Sequence, residues 1–98
     1  MNFFCKLHPP RPNFAQSMSA EEGQLMERHA EYWREWMAHG HVAAFGLVGD
    51  PDSAYGIGVV EFDDLDAAKA FTDEDPTIRS GLGFRFEVHP MPFGVIVP

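Results

Sequence analysis

The sequence predicts an α+β fold in which a four-stranded antiparallel sheet carries two helices on one face. Three observations predict it. Short apolar or alternating segments occur at "NFFCKL", "HVAAFGLVGD", "YGIGVVEF" and "LGFRFEVH". Segments with helical spacing separate the first from the second and the third from the fourth. Only the turn-forming "DPDS" separates the second from the third, which makes that pair an antiparallel hairpin. The resulting order, βαββαβ, is the split βαβ or ferredoxin-like arrangement.

Each element has a local reason. In "NFFCKL", Phe3, Cys5 and Leu7 share one face, as in a half-buried strand. "HPPRPNFAQSM", residues 8–18, holds three prolines that can extend neither a ladder nor a helix, so it is a loop. A loop this long in so small a domain is functional or disordered. "SAEE" is a capping box, with Ser19 accepting from the backbone three residues on and Glu22 reaching back. The helix runs to about His39 and stops at Gly40, a position suited to a left-handed cap. "DDLDAAKAFTD" is a second, shorter helix with Asp63 or Asp64 as N-cap and an Ala-rich apolar side. Asp75 precedes Pro76, is biased away from the helical region, and so ends that helix. Strand four sets Leu82, Phe84, Phe86 and Val88 against Gly83, Arg85, Glu87 and His89. "PMPFGVIVP" is a tail with room for a short added strand.

The chain, residues 1–98, reads as a single domain without repeats or linkers. Its net charge of -8, with no cluster of Lys or Arg, argues against nucleic acid and against anionic membrane surfaces. One cysteine, Cys5, permits no internal disulfide and suits a reducing compartment. The N-terminus lacks the charged and apolar regions of a signal peptide, and no apolar run spans a bilayer, so a cytoplasmic protein is expected. Strands two and three are apolar on both faces: Val42, Ala44 and Val48 against Ala43, Phe45 and Leu47, then Ile57 and Val59 against Val60 and Phe62. Helices cover only one sheet face, so the other is a partner surface. A homodimer closed sheet on sheet about a two-fold axis is expected. The alternative is a monomer whose C-terminal tail folds over that face.

The candidate chemistry centres on "LMERHAEYWREWM". Leu25, His29, Tyr32, Trp33, Trp36 and Met37 form one stripe, while Glu27, Arg28, Glu31, Arg34 and Glu35 fall mostly elsewhere. A histidine in that stripe is either a core residue bonded to a backbone carbonyl or a general acid–base. The second role needs a carboxylate to fix the tautomer and tune the ring. Asp75 offers one, since the end of the second helix can approach the first; its plain alternative is a turn-former before proline. Arg79 and Ser80, just beyond, are candidates to hold an anionic substrate, with an ion pair as the alternative for the arginine. His8 and His89 border a cleft or lie on the surface. Phe45, with Trp33, Trp36 and Phe84, is first of all core, and wherever it faces a cleft it suits a flat aromatic ligand. Cys5 reads as a small buried hydrophobe. "HGH", His39 and His41, supplies too few ligands for a specific metal site, and "GDPDSAYGIG" lacks the phosphate-loop spacing. No metal or organic cofactor is expected.

The stretch from Arg28 to Phe93 resembles the YciI (YCII-related) family. It shares a helical His followed by an aromatic-rich turn, a Gly, a strand ending in "FG", "GIGVVEFDD", an Ala-rich helix, "DP", "SGL" and a strand ending near a proline. The resemblance covers nearly the whole chain. It implies a ferredoxin-like fold that dimerises as an α/β barrel, with the helical His and the Asp of "DP", here His29 and Asp75, as the active-site pair. It further implies kinship with an enzyme that dehydrochlorinates a chlorinated hydroxyquinol, and a fold shared with muconolactone isomerases and cofactor-independent monooxygenases. "HPPRPNFAQ" is longer than the equivalent link in the family's shorter members and is a candidate lid or wall. The expected function is a small cofactor-independent enzyme. His29 and Asp75 would move a proton on a small cyclic or aromatic substrate, in isomerisation or elimination. The alternative is a non-catalytic homodimeric module that binds a small molecule or a protein.

Overall fold

The computed structural model describes residues 1–94 and residue 96. Its strands are β1 (Asn2–His8), β2 (Val42–Val48), β3 (Tyr55–Glu61) and β4 (Arg85–Pro90). Its helices are α1 (Phe14–Ser17), α2 (Ala20–Ala38), α3 (Leu65–Asp73) and α4 (Pro76–Arg79). The strands lie in the order β2-β3-β1-β4 and every pairing is antiparallel. This is the expected ferredoxin-like α+β arrangement.

The caps form as their residues dictate. Ser19 Oγ accepts from the Glu22 N–H at 3.1 Å, and the Glu22 carboxylate accepts from the Ser19 N–H at 2.9 Å. Gly40 takes φ 85 just past α2, the left-handed conformation that glycine adopts without cost. Asp64, not Asp63, caps α3, its carboxylate accepting from the Ala67 N–H at 2.8 Å. Phe3, Cys5 and Leu7 alternate inward along β1, and Phe3 and Cys5 meet Trp33, Val42, Val60, Phe62, Ala68 and Phe71 in the core between sheet and helices. Burial pushes the Cys5 thiol up to about 12, so it behaves as a small hydrophobe.

Several expectations are corrected. The proline loop contains a one-turn helix, α1, entered through Asn13 at φ 59. Strand two carries a bulge: Val42 pairs with Val60 and Ala44 with Val59, leaving Ala43 as the extra residue. Phe45 therefore shares the helix-side face with Val42, and the simple alternation expected there does not hold. Strand four starts at Arg85 rather than Leu82, because Gly81 and Gly83 sit at φ 70 and 99, outside strand geometry. Met37 is exposed and leaves the apolar stripe of α2. On the sheet face away from the helices, Ala44, Val48, Ile57 and Val59 of β2 and β3 are apolar as expected, and β1 and β4 set Lys6, Arg85, Glu87 and His89 beside them. In the tail, Met91–Gly94 form a turn, and Val95, Val97 and Pro98 of the expected added strand lie outside the described residues.

Candidate active site

Helix α2 brings His29 and Trp33 to the same side, one turn apart. Asp75 arrives from the break between α3 and α4. Pro76 occupies the first turn of α4, where its missing N–H costs nothing, and Asp75 is the N-cap at φ -59, ψ 135. Its Oδ1 accepts from the Thr77 N–H and the Thr77 hydroxyl, both at 2.8 Å. Its Oδ2 accepts from the Trp33 indole N–H at 2.6 Å and from His29 Nδ1 at 2.8 Å. The carboxylate is 0% exposed. Each oxygen thus faces two donors, which satisfies the acceptor capacity of a buried carboxylate.

This arrangement assigns the histidine's roles. With Oδ2 as acceptor, the His29 proton resides on Nδ1, and Nε2 carries the lone pair. Nε2 has no hydrogen-bond partner, yet no buried side-chain nitrogen or oxygen among the described residues lacks one. Nε2 is therefore open to its surroundings, and those surroundings are a cleft of about 220 Å³ between α2, the ends of β2 and β3, and the 9–15 segment. Phe14, Met26, Phe45, Leu47 and Phe84 give it apolar walls. The proline loop is a wall, held in place at both ends. Arg11 forks onto the Glu22 carboxylate at 2.7 and 2.8 Å and donates to the Ser17 carbonyl, while Phe14 meets Phe84 edge-on at 5.2 Å.

Trp33 positions the pair. Its ring packs edge-on against Phe71 at 4.8 Å and lies near Phe45 and Phe86. It fits because Gly58 has no side chain: a Cβ there would stand 2.3 Å from the indole. Sequence reasoning missed Gly58, Thr77, Met26 and the indole N–H. The signal available was "DPT", an N-cap Asp with Pro and Thr following, and the two glycines of "YGIGVV" on the helix-side face.

The other expected site residues are dispersed. Phe45 lines the cleft. His8 does not: it stands on the opposite sheet face and pairs with Glu87, which also meets His89 at 3.3 Å. Arg79 is exposed with Glu74 3.9 Å away, and the Ser80 hydroxyl donates to the Thr77 carbonyl at 2.6 Å. Neither lines the cleft. His39 and His41 engage the carbonyls of Glu35 and Glu61 respectively. Among the described residues no group of three or more His, Cys, Asp or Glu is placed to hold a metal ion. Tyr32 donates to the Phe71 carbonyl at 2.6 Å; burial, then the charges of Asp75 and Glu74, push its phenol up and keep it a donor.

The chain belongs to the YCII-related domain family, whose profile matches residues 2–92. Among solved structures it is similar to the 5-chloro-2-hydroxyhydroquinone dehydrochlorinase of Burkholderia phenoliruptrix AC1100 in complex with 2,5-dihydroxybenzoquinone. The two share 19% identity over 94% of this chain and 95% of that one, with a TM-score of 0.65. At that identity the likeness establishes a common fold. No curated protein matches the sequence. No helix among the described residues is long and apolar enough to cross a membrane.

Proposed function

We propose that this YCII-related protein is an acid–base enzyme that needs only protein side chains, acting on a small cyclic or aromatic substrate by elimination or isomerisation. One observation carries the reading: His29 Nε2 is unpartnered at an apolar cleft, while Nδ1 is held by a buried carboxylate. Nε2 takes a proton from a C–H or O–H of the substrate. The electron pair left behind forms a π bond. In elimination a leaving group departs with its own pair; in isomerisation the imidazolium returns the proton to another atom. Asp75 orients the ring and balances its positive charge between the two steps. A positioned base of this kind contributes roughly 10²–10⁴-fold. The fold likeness to a dehydrochlorinase supports the elimination arm.

A second copy closing on the sheet face of Phe4, Ile57 and Val59 belongs to the same proposal, and sedimentation in solution tests it. The non-catalytic binding module remains the competing reading, favoured by how few polar groups the cleft offers. Incubating the protein in D₂O with a panel of halogenated and hydroxylated small rings separates the two. The enzyme reading expects halide release or deuterium entry with the wild type and a loss of about a hundredfold or more in His29→Gln. Turnover undiminished in His29→Gln, or rings that bind and never exchange, would remove it.

A further inference from the structure

We infer that the cleft selects electrically neutral ring ligands and rejects carboxylates of the same shape, so that charge is created inside the site rather than carried into it. The inference rests on the proposed role of His29. Of the described residues lining the cleft, none is Lys, Arg, Asp or Glu. Three carry a side-chain nitrogen or oxygen: His29, Trp33 and Tyr55. The Trp33 N–H is committed to Asp75. Tyr55 alternates with Gly56, which pairs with the inward-facing Leu7, and its ring lies beneath the Lys6 ammonium, 4.2 Å away, on the other sheet face. His29 Nε2 is the remaining side-chain polar atom.

None of the seven Lys and Arg side chains lines the cleft. Arg11 is held by Glu22 and Ser17, Lys6 lies over Tyr55, and Arg79 stands out by Glu74. A carboxylate entering the cleft would meet the lone pair of Nε2, with the Asp75 carboxylate beyond the same ring. It would give up its water and gain neither a cation nor a side-chain donor, which is the costly case for a buried charge. A neutral phenol donates to Nε2 on arrival. When its proton crosses, the ligand anion and the imidazolium arise together, with Asp75 against the ring's other nitrogen. The new charges are paired from the moment they exist. The sequence offered Arg79 and Ser80 as candidates to hold an anionic substrate, with an ion pair as the alternative for the arginine; neither lines the cleft.

Three ligands sharing one phenol test this: para-cresol, para-hydroxybenzamide and para-hydroxybenzoate, in neutral buffer where all three phenols keep their proton and only the last ligand is charged. Binding is read from the NMR signals of the His29 ring and the Trp33 indole. The cresol and the amide should move both and saturate, and the benzoate should bind roughly tenfold or more weakly. The amide matches the benzoate in size, so it separates charge from bulk. Benzoate binding as tight as the amide's overturns the inference, and so does the absence of saturable binding by all three. In His29→Leu, which brings no donor into the cleft, the Trp33 indole signal should report the same preference, because no cation stands among the walls. If it persists there while the exchange experiment shows no proton transfer in wild type, the proposed activity falls and the charge selection stands.

Discussion

Two histidine–carboxylate pairs stand on opposite sides of one sheet. On the helix side, His29 meets Asp75 with side chains 14% and 0% exposed. On the open face, His8 meets Glu87 with side chains 27% and 35% exposed. In both, an imidazole nitrogen touches a carboxylate oxygen. The difference lies around them. Asp75 is gripped by the Trp33 indole and by Thr77 as well, and the free nitrogen of His29 opens on a cavity. Glu87 is shared between His8 and His89 at the surface, and these bonds hold its carboxyl below the usual range. Contact with a carboxylate is common on any surface. A fixed tautomer, a sheltered charge and an enclosed reacting volume are what separate a candidate site from an ion pair.

Breaking the buried carboxylate should therefore have the largest effect. Asp75→Ala leaves the indole N–H, His29 Nδ1 and the Thr77 N–H and hydroxyl without their shared acceptor, and should cost about 3–5 kcal/mol by urea unfolding. Asp75→Asn keeps one oxygen but turns an amide NH₂ toward donors on one side or the other, so it too should destabilise. Glu87→Ala, on the exposed pair, should leave the unfolding midpoint within experimental scatter. Equal losses from Asp75→Ala and Glu87→Ala would erase the distinction between the two regions.

The shelf under the buried pair is the next test. Gly58→Val places carbon inside the space of the Trp33 ring and should cost about 1–3 kcal/mol. It should also shift the indole N–H resonance, since the ring that donates to Asp75 must move. A Cβ at Gly46 would meet nothing within 4 Å, so Gly46→Ala should stay within about 0.5 kcal/mol. A Gly58→Val protein with wild-type stability and an unmoved indole signal would show that Trp33 has room the structure does not give it.

How much of this was legible depends on the range of the interaction. The Ser19–Glu22 box and Gly40 act within four residues, and the sequence showed them directly; for α3 it narrowed the cap to Asp63 or Asp64, and the structure takes Asp64. The parity of β1 was legible too. With Leu7 inward, His8 must face outward, and placing His8 at the cleft went against that alternation. The bulge at Ala43 has no local mark, because two adjacent alanines fit either register; only pairing with β3 decides that Phe45 turns toward His29. The His29–Asp75 contact spans forty-six positions of sequence and came from fold topology and family resemblance rather than from any spacing. The Gly58 notch is a matter of shape between two elements, which a periodic pattern does not encode.

The smallest effect concerns the wall that encloses the buried pair and has no counterpart at the exposed one. The Glu22 carboxyl is pushed down to about 2 from an ordinary value of 4.5, first by the Arg11 guanidinium and then by the Ser19 N–H. A carboxyl whose folded value is depressed stabilises the folded state fully above its unfolded value, and that contribution fades as pH falls through the folded one. The melting gap between wild type and Glu22→Gln should therefore be constant above roughly pH 5 and close toward about pH 2. Glutamine still accepts from the Ser19 N–H, so the variant isolates the Arg11 clamp from the helix cap. Protection of the amides of Arg11, Asn13, Phe14 and Ala15, corrected for the intrinsic exchange rate at each pH, should fall in the variant at neutral pH, and in wild type only on acidification. The absence of a gap at neutral pH would mean the loop is held by Phe14 against Phe84 and not by charge. The cleft beside His29 would then keep its shape wherever the core keeps its packing.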